Sequence, residues 1–196
     1  ILHRLDGITA VVPALPGFPF AATSEGMSAG HMAEAVHAAV LDLGFDRFVI
    51  SAGDVGCDVA EALTATHPES VSALHLTDVS QYHFLVDLPG DLDDEEQAYV
   101  EHGRRWQAAE GGYMHEQSTR PNTASVGLGD SPSGLAAWVG EKLDRWTDES
   151  PTGGPAFDRE ERLTWVTAYW VSGCIGTSFA PYALSSPKRW PRIETP

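Results

Sequence analysis

Phe48-Val49-Ile50-Ser51-Ala52-Gly53-Asp54-Val55-Gly56-Cys57 is the stretch on which the fold turns. The β-branched and aromatic run Phe48 to Ile50 has the character of a buried strand. Small residues follow, and the chain is helix-like from there to Pro68. The pattern is small-x-acid-x-small, and its small residues have a physical job. A sharp turn from strand to helix forces the central residue into a strained backbone, and Ala52 and Gly56 leave room for the crowded chain. The Asp54 side chain is then thrust clear of the sheet, at a helix N-terminus whose dipole favours negative charge. The same position also suits a helix N-cap, for which Asp is a common choice. The stretch supports both readings, and the rest of the chain has to separate them.

Upstream, Met32, Val36, Val40 and Leu43 recur at the spacing of an amphipathic helix, with Ser28 as its N-cap and Gly44 as its stop. Before it, Thr9-Ala10-Val11-Val12 is a short strand candidate ended by Pro13. The loop Pro13 to Phe20 holds too much proline for a helix or a central strand. Downstream, the helix after Asp54 carries Val59 and Leu63 on one face, and Val71 to Val79 alternates as a third strand. Residues 9–79 thus predict strand, helix, strand, helix, strand. That order implies a parallel sheet with right-handed crossovers, covered on both faces. Function in such sheets collects at the carboxyl ends of the strands, where Asp54 falls.

After about Ser80 the character changes. Asp87 to Glu96 is acidic and turn-like, and helical stretches without strands follow. Residues 93–109 form one, closed by Gly111-Gly112, and Leu135, Val139 and Leu143 share a face of another. A further helix starts at Asp158, which pairs with Glu161 as a capping box, and Leu163, Val166 and Trp170 give it an apolar stripe. A helical block placed after a parallel-sheet strand has the form of a lid. No internal repeat or low-complexity tract interrupts it.

Composition bounds the function. The chain has 196 residues, 42% of them hydrophobic and 20% charged, as a globular protein with a sizeable core requires. Twelve basic residues against 28 acidic ones leave a net charge of −16, a field that repels nucleic acid and anionic membranes. No apolar run approaches the length of a membrane helix, and no signal-peptide pattern opens the chain. The two cysteines, Cys57 and Cys174, stand in no metal spacing and fit reduced, buried thiols of a cytoplasmic protein. His67, His75 and His83 make no zinc spacing either, and His115-Glu116 lacks the second histidine of a zinc-peptidase helix. No metal or cofactor is expected.

Several stretches together resemble the microsomal-type epoxide hydrolases. They are Val11 to Phe18, Ala52-Gly53-Asp54-Val55-Gly56, Gly112-Tyr113-Met114-His115-Glu116-Gln117-Ser118-Thr119-Arg120-Pro121, Asp130 to Trp138 with Glu141-Lys142, and Trp165 to Trp170 with Gly173 and Ile175. The similarity runs in order over nearly the whole chain, which is far more specific than any single motif. It implies an α/β fold: part of an α/β-hydrolase parallel sheet with an inserted helical lid. The core would occupy 1–86, the lid 87–184, and a return linker into the next core strand 185–196.

The resemblance also implies chemistry. Asp54 would be the nucleophile that opens an epoxide, forming a covalent ester that water hydrolyses to a diol, in the manner of enzymes that detoxify foreign compounds. Tyr113 and Tyr182 would hydrogen-bond the leaving oxygen as general acids, and the Val55 N–H would hold the ester's oxyanion. Two positions depart from the family. Val55 stands where tryptophan is usual, and Ala52 where glycine is frequent. The family's His-Gly-x-Pro loop, acidic triad member and histidine base match nothing in this chain, whose eight histidines fit no base position. The chain alone is therefore expected to be inactive in turnover and poorly stable. The partners implied are a small epoxide and water, with an oligomer left open. The alternatives are another Asp-nucleophile hydrolase, such as a haloalkane dehalogenase, and a non-catalytic truncated binding protein.

Overall fold

β1 (Phe48–Ala52) and β2 (Val71–Leu76) pair in parallel, with Phe48 opposite Val71 and Ala52 opposite Leu76. The computed structural model containing them describes residues 7–21, 25–80, 82–86, 88–150, 153–184 and 193–196. It divides into two compact units: Ile1–Leu15 with Ala29–Ser80 and Arg189–Pro196, and Pro16–Ser28 with Gln81–Lys188.

In the first unit, α1 (Ala29–Asp42) precedes β1, and α2 (Val55–Thr66) links β1 to β2. Two parallel strands need such a crossover, because no tight hairpin can join them. α2 packs against both strands and against α1. It buries Cys57, Val59, Ala60, Ala62, Leu63 and Thr64, a wider set than the expected stripe of Val59 and Leu63. α1 buries Met32, Ala33, His37 and Val40. The end of α1 explains why Leu43 leaves the expected stripe. Gly44 sits at φ 87°, its N–H bonds to Leu41 O at 2.8 Å, and the Phe45 N–H reaches Val40 O at 3.2 Å. These bonds make a Schellman stop, which ends the helix before Leu43 and leaves that side chain exposed. His37 bonds Ser70 Oγ at 3.0 Å and stacks on His67 at 3.7 Å, tying α1 to the turn before β2.

Two expectations fail here. Thr9 to Val12 forms no strand, since a ladder needs a partner and none lies beside it among the described residues. Val12 is instead 72% exposed. Among the described residues the sheet is also covered on one face only: Phe48, Ile50 and Ala52 are half-buried, whereas Val49, on the other face, is 65% exposed. β2 stops at Leu76 rather than Val79, and the Thr77 N–H makes the last bond between the strands, to Ala52 O at 2.9 Å. Beyond the helices, Pro196 O accepts from the Leu74 N–H at 2.8 Å, while residues 185–192 of the expected return linker lie outside the described set.

The second unit is helical: a π-helical turn at Tyr82–Val86, then α3 (Asp94–Glu110), α4 (Gly112–Thr119), α5 (Pro121–Asp130), α6 (Pro132–Arg145), α7 (Arg159–Ser172) and α8 (Ala180–Ala183). Asp93 and Asp158 cap α3 and α7 with full capping boxes to Glu96 and Glu161. α4 and α5 were not read as helices in the sequence. Pro121 at the first turn of α5 supplies a start, but no apolar period marks either one. The core is Leu135, Ile175 and Phe179, packed by Leu128, Trp138, Val139, Val166 and Tyr169. α7 thus presents Val166 and Tyr169, whereas Leu163 and Trp170 of the expected stripe stand 50% and 38% exposed. The loop before α1 belongs to this unit, where the Thr177 hydroxyl donates to Gly17 O at 2.8 Å.

The uneven covering of β1 gives a direct test in the 196-residue chain. Leu63, 2% exposed, should cost about 2–5 kcal/mol on truncation to Ala. Val49→Ala should stay within about 0.5 kcal/mol. Urea denaturation of both variants decides; equal losses would mean that the open face is covered.

Candidate active site

The site starts from a backbone constraint. Asp54 adopts φ 51°, ψ −132°, a region that residues with a Cβ seldom enter and that costs of order 1–3 kcal/mol. Phe20 is the only other described non-glycine residue with positive φ. The turn carries the chain from the end of β1 into α2, and the Asp54 carboxylate accepts the Val55 N–H, the first free donor of the helix. Asp54 is therefore the N-cap and the apex of a strained elbow at once, so both sequence readings describe the same geometry.

Neighbouring atoms hold this elbow closed. The Asp54 N–H donates to Asp78 Oδ1 at 2.9 Å. Thr77 Oγ1 lies 3.3 Å from both Ala52 O and Asp78 Oδ1, and Cys57 Sγ is 3.1 Å from Asp78 O and 3.3 Å from its Oδ1. The loop comes so close that a Cβ on Gly53 would stand 2.5 Å from Thr77 Oγ1. Gly56 has more room, its Cβ position lying 3.6 Å from the Ala52 methyl. Ala52 and Gly56 thus do leave space, but Gly53 is the tightest of these positions. Asp78 was not singled out in the sequence. The available signal was its place just past the strand beside β1, at the carboxyl edge where function collects.

Electrostatics at the elbow favour protons. Asp54 keeps an open surface, yet the protein around its carboxyl weakens hydration and raises its pKa above 3.8. The Val55 N–H opposes that rise, while the negative charges of Asp78 and Asp58 add to it. Burial, then the bond to Asp78, pushes the Cys57 thiol up to about 12, so it remains a neutral donor and is no rival nucleophile.

In the helical unit, α4 carries Tyr113 and α8 carries Tyr182, 69 positions later in the chain, and their rings meet edge to face at 5.9 Å. Tyr113 also leans on Trp146 at 4.9 Å. Trp146 is fixed in turn, its indole N–H donating to Glu110 Oε2 at 3.2 Å while Arg145 holds Glu110 Oε1 at 2.9 Å. Beside Tyr113 opens a cleft of about 240 Å³, walled by Trp138 and Trp146, with Lys142 Nζ 4.1 Å above the Trp138 ring. Trp138 lies between this cleft and the core, whereas Trp165 is half exposed. Trp146 and Glu110 were missed because no sequence period brings the ends of α3 and α6 together. Among the described residues, no group of three or more His, Cys, Asp or Glu is placed to hold a metal ion. No described helix is long and apolar enough to cross a membrane.

A strand, an acidic strained turn and a helix beside a parallel strand, followed by a helical cap, make this chain part of an α/β-hydrolase fold. Its relatives are epoxide hydrolases, as the resemblance implied. Epoxide hydrolase 1 of Sus scrofa is 31% identical over 189 residues, 86% of this chain and 42% of that protein. Juvenile hormone epoxide hydrolase 2 of Ctenocephalides felis is 30% identical over 199 residues, 89% of this chain and 42% of that one. The solved structure of Aspergillus niger epoxide hydrolase superposes with a TM-score of 0.74 at 26% identity, over 89% of this chain and 45% of that one. The chain thus spans about two fifths of the length of the curated relatives it matches. No protein-family model matches it.

Two tests belong to this geometry. Gly53→Ala should destabilise the chain by about 1–3 kcal/mol, because Thr77 must give up its bonds to make room. A melting temperature equal to the parent's would mean that the loop yields freely. The Asp54 shift has a definite sign in linkage. The folded state holds this proton more tightly than the unfolded state, so stability should fall as pH rises above 3.8 toward the raised folded pKa. Asp54→Asn should remove that part of the decline. Melting curves collected from pH 3 upward compare the two slopes, and parallel profiles would contradict the shift.

Proposed function

We propose that the protein containing this segment is an epoxide hydrolase that works through a covalent ester of Asp54. The observation that carries the reading is the left-handed backbone of Asp54. It presents a carboxylate at the end of a strand, with the Val55 N–H already bonded to it. The similarity to proteins named epoxide hydrolase supplies the substrate class.

In the first step an Asp54 oxygen attacks an epoxide carbon, and the ring C–O bond breaks with its electrons passing to the departing oxygen. Tyr113 and Tyr182 hydrogen-bond that oxygen and supply its proton. Their edge-to-face pairing supports a joint role, since it holds the two phenol rings 5.9 Å apart. Water then attacks the ester carbonyl, activated by a histidine base that matches none of the chain's own eight histidines. The negative charge develops on the Asp54 oxygen held by the Val55 N–H, so that resting contact becomes an oxyanion contact without movement. Collapse releases the diol, whose oxygen takes the proton held by the base, and the proton left on the Asp54 acid returns to the tyrosine, restoring carboxylate and phenol.

Residues 1–86 would be the catalytic core, 87–184 the cap, and 185–196 the return to the core. A cytoplasmic location fits Cys57 and Cys174, both free and buried.

The deciding experiment is a single turnover by the full-length enzyme, in excess over a styrene-type epoxide, in heavy-oxygen water. If Asp54 attacks carbon, the diol takes an oxygen from Asp54, and label appears in the Asp54 peptide on mass analysis. Label found only in the diol would reject the ester and make Asp54 a general base. Absence of turnover by the full-length protein would reject the epoxide reading itself.

A further inference from the structure

The Asp54 elbow leaves one question open: what keeps a non-glycine residue at φ 51°. The β1–β2 ladder ends at Ala52 and α2 begins at Val55, so neither element fixes the residues between them. The bond from Val55 N–H to the Asp54 carboxylate cannot serve as the fixed point, because that carboxylate is consumed and restored in every cycle of the proposed reaction. The backbone N–H of Asp54 remains. Without an acceptor it would be an orphan donor.

That acceptor is the Asp78 carboxylate, 2.9 Å away on the loop after β2. The Thr77 hydroxyl and the Cys57 thiol both lie 3.3 Å from the same oxygen, Oδ1. Donors from the β2 loop, the elbow and the first turn of α2 thus converge on one atom. The thiol is kept protonated by its surroundings, so this donor persists at neutral pH. Thr77 adds a second tether, through its backbone N–H, to Ala52 O at 2.9 Å.

From this convergence we propose that Asp78 is a positioning residue that clamps the Asp54 backbone in its strained turn, leaving the Asp54 side chain free to form and lose its ester. The inference rests on Asp54 being the nucleophile, but the clamp itself involves no substrate. Asp78 does not touch reacting atoms in this scheme. It acts through the Asp54 N–H.

The test compares Asp78→Asn, which keeps an acceptor oxygen and loses the charge, with Asp78→Leu, which keeps the bulk and loses the acceptor. Amide hydrogen exchange at Asp54, followed by NMR on the full chain without substrate, reads the clamp directly. It should accelerate at least tenfold in Asp78→Leu and less than threefold in Asp78→Asn. Exchange unchanged in Asp78→Leu, or equally fast in both variants, overturns the proposal. With epoxide, kcat should fall at least tenfold in Asp78→Leu with KM within threefold, and Asp78→Asn should recover most of that loss. The acidic limb of the rate profile should move to lower pH in both, because a negative charge facing Asp54 is gone while Asp58 on α2 remains. Equal kcat in the parent and Asp78→Leu also overturns the proposal. A parent without epoxide turnover would sink the reading of Asp54 as a nucleophile, and the exchange rates would still decide whether Asp78 is a clamp.

Discussion

Strain in a backbone persists only where the surroundings over-determine it. At Asp54 the over-determination comes from both sides of the turn. β1 delivers the chain in parallel register with β2, so the loop after β2 emerges beside the elbow. α2 leaves with its first N–H, that of Val55, bonded to the carboxylate. Between them, Gly53 is pressed against Thr77 with no room for a methyl group, and the Asp54 N–H is taken by Asp78. The geometry is thus a property of two adjacent strands, and a lone strand and helix could not hold it.

The same closeness works against stability. Asp78 and Asp58 stand near a carboxylate that is already poorly hydrated, and each raises the cost of ionising it. A protein selected only for stability would neutralise one of these groups. Retaining them is intelligible where a carboxylate of raised basicity serves as a nucleophile, since such a group holds its electron pair more available to carbon. The Val55 N–H limits the effect by favouring the charged form, so Asp54 is tuned between opposing influences.

Legibility in the sequence followed locality. The strand Phe48 to Ile50, the small residues of the turn, the capping box at Asp158 and the glycine stop at Gly44 are set within a few residues, and each is found where its pattern placed it. What pattern could not supply was partnership. Thr9 to Val12 has strand composition but no ladder beside it, and α7 turns Val166 and Tyr169, not Leu163 and Trp170, to its neighbours. Asp78 was hidden for the same reason. Nothing within ten residues of it shows that its carboxylate would meet a backbone N–H 24 positions earlier. The contact between Tyr113 and Tyr182, singled out only through resemblance to a family, carries no signal in the sequence, because the two stand so far apart.

The helical unit shows how aromatic contacts can order side chains without a large core. Its fully packed centre is small, Leu135 with Ile175 and Phe179, and α7 has no buried residue of its own. Order around Tyr113 therefore has to come from elsewhere. It comes from a relay on the surface of the unit: Arg145 on Glu110, Glu110 on the Trp146 indole, Trp146 on Tyr113, and Tyr113 on Tyr182. Exposed ion pairs alone stabilise by at most about 1 kcal/mol. Here the charge pair does a narrower task, fixing the rotation of one indole against which a phenol rests. Aromatic rings suit that task, since few rotatable bonds must be ordered and each pair prefers a tilted or edge-on arrangement.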